Sequence, residues 1–348
     1  MNAAFWITLV KILTVFLVTM GAVAYMTLAE RKISAFIQWR KGPNRVGIWG
    51  LLQPIADGLK FVLKEDYVPK GANQVLHAIA PILTMAPALM TFAVVPFGST
   101  LPIFGMEVKM IVADLSIGIL FIFAIASLGV YGLAVAGWSS NNKYALLGGL
   151  RSSAQMISYE ISMGLSVIPI IMVSSTLMLT GIVDYQGNHL WFVFSQPLSF
   201  LLFTIAAFAE TNRLPFDLPE AEPELVAGYH TEYSSMKFAS FMLGEYAAMI
   251  TASALIVTLF FGGYHVPFIE NLAFFQDHPL LLGLLHLTSF LTKTAIWLFI
   301  FVWVRWSLPR FRYDQLMNLG WKVLLPLSLV NIFIYAIIVL GFGLGGTP

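Results

Sequence analysis

Apolar residues run through this chain in long blocks, separated by polar stretches that alternate between long and short. Eight blocks approach the roughly 20 residues that a helix needs to cross a hydrocarbon core: Phe5–Leu28, Leu76–Val95, Ile111–Ala136, Ala154–Leu179, Trp191–Ala209, Phe238–Phe261, Leu280–Trp303 and Val323–Phe342. Lipid offers backbone groups no partner, so runs of this length are read as helices. The shorter alternating segments of a membrane barrel do not occur. The pattern predicts an all-α fold, a single polytopic integral membrane bundle of about eight transmembrane helices over residues 1–348. The first run lacks a basic segment before it and a small-residue cleavage site after it, so it is expected to be a retained helix rather than a signal peptide.

The longer polar stretches cover residues 29–75, 138–153, 210–237 and 304–322. In the first, Ile48, Leu52, Ile55, Leu59 and Val62 recur at helical spacing, with Gln53, Asp57, Lys60 and Lys64 on the other face. That spacing predicts an amphipathic helix lying in the membrane interface. These four stretches also hold 16 of the 19 Lys and Arg residues. Of the rest, Lys109 falls in an opposite loop, and Lys11 and Lys293 fall within apolar runs. The positive-inside rule places the four basic stretches in the cytoplasm and both termini on the far side.

Composition narrows the chemistry. Hydrophobic residues make up 58% and charged residues 11%, against about a quarter charged in soluble domains. A net charge of +1 gives no electrostatic footprint for nucleic acid. There is no cysteine, which excludes disulfides, a thiolate-held iron–sulfur cluster and a cysteine nucleophile. Among the six histidines only His286 lies well inside an apolar run, so a bis-histidine haem is not expected, and His286 reads as a packed or hydrogen-bonded residue. No zinc-spaced histidine set, phosphate loop or serine elbow appears. The chain is expected to bind no metal, haem, flavin or iron–sulfur cluster, and to leave electron carriage to partners.

Ionisable residues inside apolar runs cost about 2.5–3.5 kcal/mol each on insertion scales, and each is therefore a functional candidate. Glu160 lies about seven residues into the fourth run and Glu245 at a similar depth in the sixth, on the order of 10 Å below the interface at 1.5 Å per residue. Glu210 closes the fifth run on the same side, and Tyr159 and Tyr246 adjoin two of these glutamates. Lys293, near the middle of the seventh run, is a candidate either for an ion pair with one of these acids or for a relay. Asp114 reads as a wetted residue near the outer interface. The stretch 210–237 adds Asp217, Glu220, Glu222, Glu224 and Glu232, with only Arg213 among them and Lys237 beyond. Carboxylates crowded at low dielectric cannot all ionise, and groups held near neutrality can pass protons.

Four motifs carry a family resemblance. Glu30-Arg-Lys-Ile-Ser-Ala-Phe-Ile-Gln-Trp-Arg-Lys-Gly-Pro-Asn-Arg-Val-Gly, followed by Gly50-Leu-Leu-Gln-Pro-Ile-Ala-Asp-Gly, resembles the first-loop signature of the membrane subunit called H in bacterial proton-pumping NADH:quinone oxidoreductase, respiratory complex I. The stretch from Gly137-Trp-Ser-Ser-Asn-Asn-Lys to Ile157-Ser-Tyr-Glu is similar to its second loop, Ala209-Glu-Thr-Asn-Arg-Leu-Pro-Phe-Asp-Leu-Pro-Glu to its third, and Arg310-Phe-Arg-Tyr-Asp-Gln-Leu-Met to its last. The match runs from about Glu30 to Pro326. One departure is Glu220-Ala-Glu-Pro-Glu-Leu-Val, where many relatives read Glu-Gly-Glu-Ser-Glu-Leu-Val: the acids are kept, but Ala221 and Pro223 stiffen the segment.

The resemblance implies a chain that forms part of a quinone chamber and couples quinone reduction to proton translocation, with quinone as substrate. Glu30, Arg31, Arg40, Arg45, Asp57, Lys60, Arg213 and Asp217 are expected at the chamber. Glu210, Glu220, Glu222, Glu224 and Glu232, with Glu160 and Glu245, are expected along a proton path. Implied partners are peripheral-arm iron–sulfur subunits and small or antiporter-like membrane subunits, in the inner membrane of a bacterium, with an organellar inner membrane as the alternative. The alternative within the same superfamily is the membrane subunit of an energy-converting hydrogenase.

Overall fold

The computed structural model describes residues 3–103, 106–218, 222–267, 269–270 and 273–342. In chain order the elements are α1 (Ala3–Ile37), α2 (Gln53–Leu63), α3 (Gln74–Thr91), the antiparallel pair β1 (Thr100–Ile103) and β2 (Met106–Lys109), α4 (Gly118–Ser139), α5 (Lys143–Ser174), α6 (Leu179–Asn188), α7 (Phe192–Ser195), α8 (Pro197–Glu210), α9 (Glu222–Leu225), α10 (Ser235–Phe260), α11 (Ala273–Gln276), α12 (Pro279–Ser307), α13 (Tyr313–Asn318) and α14 (Leu325–Phe342). Among the described residues, seven helical segments are long and apolar enough to cross a membrane: α1, α3, α4, α5, α10, α12 and the run from α13 into α14. The 14-residue α8 is a shorter apolar helix. The protein is an all-α, multi-pass membrane bundle.

Helix ends follow local chemistry. Asn73 accepts the Leu76 backbone N–H at 3.2 Å to open α3, and Asn142 accepts that of Tyr144 at 2.9 Å to open α5; each satisfies an orphan donor of a first turn. Pro197 and Pro279 begin α8 and α12, where a missing N–H costs nothing. Gly262 and Gly263, at φ +68° and +54°, end α10 by taking conformations that L side chains resist.

Several expected boundaries move. α1 continues past Leu28 to Ile37, so Glu30 and Arg31 are helical. The third span begins at Gly118 rather than near Ile111, because Met110 is tied back: its N–H donates to Ser99 and its carbonyl accepts from Phe97. α5 starts eleven residues before the expected Ala154, at the Asn142 cap. The fifth span is broken into α7 and α8 at Gln196. A residue before proline is pushed out of the helical region, and the Gln196 side chain is buried, donating to Pro169 O at 3.1 Å. The last span starts earlier, since α13 runs through a π-turn at Leu319–Leu324 into α14.

α10 is the most enclosed span, with 78% of its apolar window buried, and it packs on α1, α3 and α12. α5 packs on α4, α8 and α14. α1 and α14 lie at the rim, with Leu17, Phe333 and Leu340 turned outward. Apolar surface of that extent needs lipid or a partner to cover it.

Candidate functional site

Residues far apart in sequence meet where α1, α8, α10 and α12 converge. Glu30 sits on the last turns of α1, only 6% exposed, and Arg213, just beyond α8, is 7% exposed. Arg213 Nη1 donates to both carboxylate oxygens of Glu30, at 3.3 and 3.2 Å. Its Nη2 lies 3.9 Å from Glu245 Oε2 on α10. The guanidinium also rests over the Tyr246 ring, 4.3 Å from its centroid. Arg305, in the last turns of α12, donates to Glu30 from another side. Tyr229 Oη donates to Glu245 Oε1 at 2.9 Å. Among the described residues, two arginines and two glutamates thus meet in a buried cluster, where charges removed from water need partners.

Beside it lies a cavity of about 90 Å³ lined by Glu210, Glu245, Tyr229, Thr84, Thr251 and Asn212 together with Met156, Met163 and Leu255. A water needs roughly 10–15 Å³ of such space and two to four polar partners, so the cavity has room for a short water chain. Glu210 is half-buried and borders this cavity. Glu160 and Glu210 lie within electrostatic range of each other. α5 starts at Lys143, which puts Glu160 about 25 Å along that helix at 1.5 Å per residue.

The segment after α8 is held by α5. Gln155 Nε2, fully buried, donates to Ala209 O, Asn212 Oδ1 and Phe216 O at 2.8, 3.1 and 2.9 Å. Asn212 Nδ2 donates in turn to Ser152 Oγ at 3.2 Å. Asp217 pairs with Arg310 at 3.0 Å. Burial pushes the Asp217 carboxyl up to about 6, against the pull of Arg310. Burial also lowers His230, with Glu245 opposing it. At the margin of this region Glu224 pairs with Arg151 at 2.6 Å, and Glu232 accepts from Asn142 at 2.6 Å.

The first polar stretch forms a second locus. Asp57 on α2 pairs with Arg31 and lies 3.8 Å from Lys60, and Gln53 donates to it at 2.8 Å. Arg40 and Arg45 border an open basic concavity with Lys41, Asn44 and Gln53. The start of α10 grips the end of α2: Ser234 and Ser235 donate to Glu65 O and Phe61 O, and Lys237 pairs with Asp66 at 2.8 Å. The helix that carries Glu245 therefore positions α2. The apolar side of α2 (Ile55, Leu59 and Val62) is bare within this chain; Ile48 and Leu52, expected in the same helix, precede it.

Glu30, Arg213 and Glu245 are thus brought together, with Glu210 across the cavity. Arg31, Asp57 and Lys60 form the second locus. Glu220 lies outside the described residues, as does the side chain of Glu222. Among the described residues Lys293 forms no ion pair with Glu160, Glu210 or Glu245: its ammonium donates to the carbonyls of Phe261, Gly263 and His265 at 2.9, 3.0 and 2.7 Å. A lysine can satisfy its three donors on a helix end as well as on carboxylates. Tyr159 donates to Leu316 O at 2.9 Å, tying α5 to α13. Asp114 accepts from Thr180 at 2.9 Å and lies 3.5 Å from Lys109. Arg305 and Tyr229 were not among the sequence candidates. The only hint of the first is an arginine inside the closing turns of a span, and of the second an aromatic phenol within an acidic stretch.

The sequence model of the NADH dehydrogenase family matches residues 10–336. The chain is similar to the H 1 subunit of NADH-quinone oxidoreductase from Cytophaga hutchinsonii, 50% identical and covering 94% of this chain and 95% of the relative. It is 48% identical to the H subunit of NADH-quinone oxidoreductase from Flavobacterium johnsoniae, over 95% of this chain and 94% of that one. It is 51% identical to the corresponding H 1 subunit from Geobacter metallireducens, over 94% and 95%.

Proposed function

The chain belongs to the NADH dehydrogenase family, and on that premise we propose that it is the membrane subunit of an NADH:quinone oxidoreductase that forms part of the quinone chamber and couples quinone reduction to proton translocation. The observation that carries this reading is the buried Glu30–Arg213–Glu245 cluster set against a cavity lined by Glu210 and Glu245. Such a cluster is stable only while its charges balance. A quinone taking up two electrons and two protons nearby shifts that balance, and the acids answer by exchanging protons along the cavity toward Glu160.

In this reading the quinone head enters past α2 and the basic concavity, so Arg31, Arg40, Arg45, Asp57 and Lys60 guide or support the entrance. Glu30, Arg213 and Asp217 stand deeper. Glu220, Glu222, Glu224 and Glu232 form the acidic stretch beside them. Electrons arrive from peripheral-arm iron–sulfur subunits docked on the basic loops, and the proton signal passes to small or antiporter-like membrane subunits. The setting is a bacterial cytoplasmic membrane with both termini periplasmic. Quinone is the substrate, and this chain holds no redox centre.

The test is Glu245→Gln in the purified, assembled complex. NADH-driven quinone reduction and proton translocation are expected to fall together, at least about tenfold. NADH oxidation by a hydrophilic acceptor that takes electrons in the peripheral arm stays unchanged. Full quinone-linked pumping in the variant would sink the proposal.

A further inference from the structure

At the opposite end of the bundle from the acidic stretch, two imidazoles and a carboxylate converge. His265 lies in the turn after α10, Glu270 on the way to α12, and His286 two turns into α12. His265 Nδ1 and His286 Nε2 each lie 2.9 Å from the same oxygen, Glu270 Oε2. The three potential ligand atoms fall within 4.8 Å of one another. All three side chains are substantially withdrawn from solvent, at 18%, 15% and 5% exposure for His265, Glu270 and His286.

The other nitrogen of each ring is also faced by an oxygen. His286 Nδ1 lies 2.8 Å from Ser99 Oγ, just before β1. His265 Nε2 lies 3.7 Å from Asp184 Oδ1 on α6, and Asp184 is held by a 3.2 Å hydrogen bond from Tyr264 Oη. Each imidazole thus turns one nitrogen to Glu270; the other nitrogen of His286 is oriented by Ser99, and that of His265 lies beside Asp184 without a hydrogen bond to it. Outer partners of this kind fix the tautomer and ring direction of metal-binding histidines. Lys293 is the nearby cation, and its ammonium is occupied by carbonyls of the turn that carries His265. It shapes the turn that carries His265 and lies within electrostatic range of Glu270.

We propose that His265, Glu270 and His286 form a site for a divalent transition cation of the zinc class, with water as the fourth ligand. Two imidazole nitrogens and one carboxylate are a donor set suited to zinc in an open site. Calcium and magnesium favour all-oxygen shells, which two imidazoles do not supply. Zinc bonds of 2.0–2.2 Å set tetrahedral ligand atoms about 3.3 Å apart. Small rotations of the three side chains reach that spacing: the nitrogen–oxygen contacts open slightly from 2.9 Å and the two rings draw together. The ion ties His265 and Glu270 to α12 beside β1. The spacing of these residues, five and then sixteen positions, matches no short motif, so sequence alone led to the opposite expectation.

The experiment is a Zn²⁺ titration of the assembled complex against a chromophoric chelator, read as differences because partner subunits bring metals of their own. His286→Gln and Glu270→Gln are each expected to lose one tight zinc equivalent relative to the parent. Ser99→Ala, which touches only the outer partner of His286, keeps that equivalent and weakens it about 10- to 100-fold. Should the direct variants fail to assemble, amide exchange in the parent complex decides. Exchange across residues 262–270 is expected to slow several-fold with zinc and recover with chelator. Equal zinc uptake by parent and variants, or exchange unchanged by zinc, overturns the site.

Discussion

Arg213 answers to several groups at once, among them the carboxylate of Glu30, that of Glu245 and the face of Tyr246. Replacing it with methionine leaves two buried acids short of a counter-charge. Breaking such a buried pair costs about 3–5 kcal/mol, so Arg213→Met is expected to lower the complex's thermal midpoint. Adding Glu30→Gln should recover part of that loss, since it removes the negative charge that Arg305 alone cannot offset beside Glu245. A double variant no more stable than the single one would show that Glu30 was not the charge left uncompensated. Asp217 gives a prediction in pH. Its carboxyl, ordinarily near 3.8, is raised to about 6 in the folded protein, chiefly by burial. The folded state therefore holds this proton more tightly than the unfolded one. Its contribution to stability is present at low pH and is lost as pH rises from about 4 to about 6. Amide exchange across residues 209–218 should accelerate over that window in the parent and less so in Asp217→Asn. Identical pH slopes in the two proteins would contradict the assignment.

At the scale of elements, close approach of backbones sets the site. A side chain on Gly148 of α5 would meet the backbone of Gly228 at 2.7 Å, and main-chain atoms cannot give way. Gly148→Ala should therefore part α5 from the turn bearing Tyr229 and loosen the bond from Tyr229 to Glu245. Quinone-linked turnover is expected to drop several-fold. Gly164→Ala on the same helix, where nothing lies within 4 Å, serves as the neutral control. Equal activity in both variants would disconnect this packing from function. The same contrast explains how much was legible beforehand. Lipid demands length and apolarity, so the spans could be read from composition and run length alone. Helix ends could not, because a polar cap such as Asn142 extends α5 beyond the apolar run and Pro197 interrupts one inside it. Among site residues, acids within spans stand out by their cost in lipid. Their partners do not: Arg305 and Glu30 are separated by 275 residues, and nothing in hydropathy marks which cation turns inward. The triad of His265, Glu270 and His286 was hidden for the same reason.

At the scale of the whole molecule, the proposed function requires two unlike ends. α10 runs 26 residues, about 39 Å at 1.5 Å per residue, from the acidic stretch to the His265 turn. Quinone chemistry and peripheral-arm docking belong to the first end only if the basic stretches face the cytoplasm. The positive-inside bias rests on 16 of 19 basic residues, and it is open to direct measurement because the chain has no cysteine of its own. Lys64→Cys lies just past α2, and Asp277→Cys lies just before α12. A membrane-impermeant maleimide should label the first only in inverted vesicles and the second only in right-side-out vesicles, with this subunit resolved by mass. The reverse pattern would put the Glu30–Arg213–Glu245 cluster near the outer face, away from any cytoplasmic electron donor. It would leave the proposed chamber without a source of electrons, even if the zinc-class site at the other end were intact.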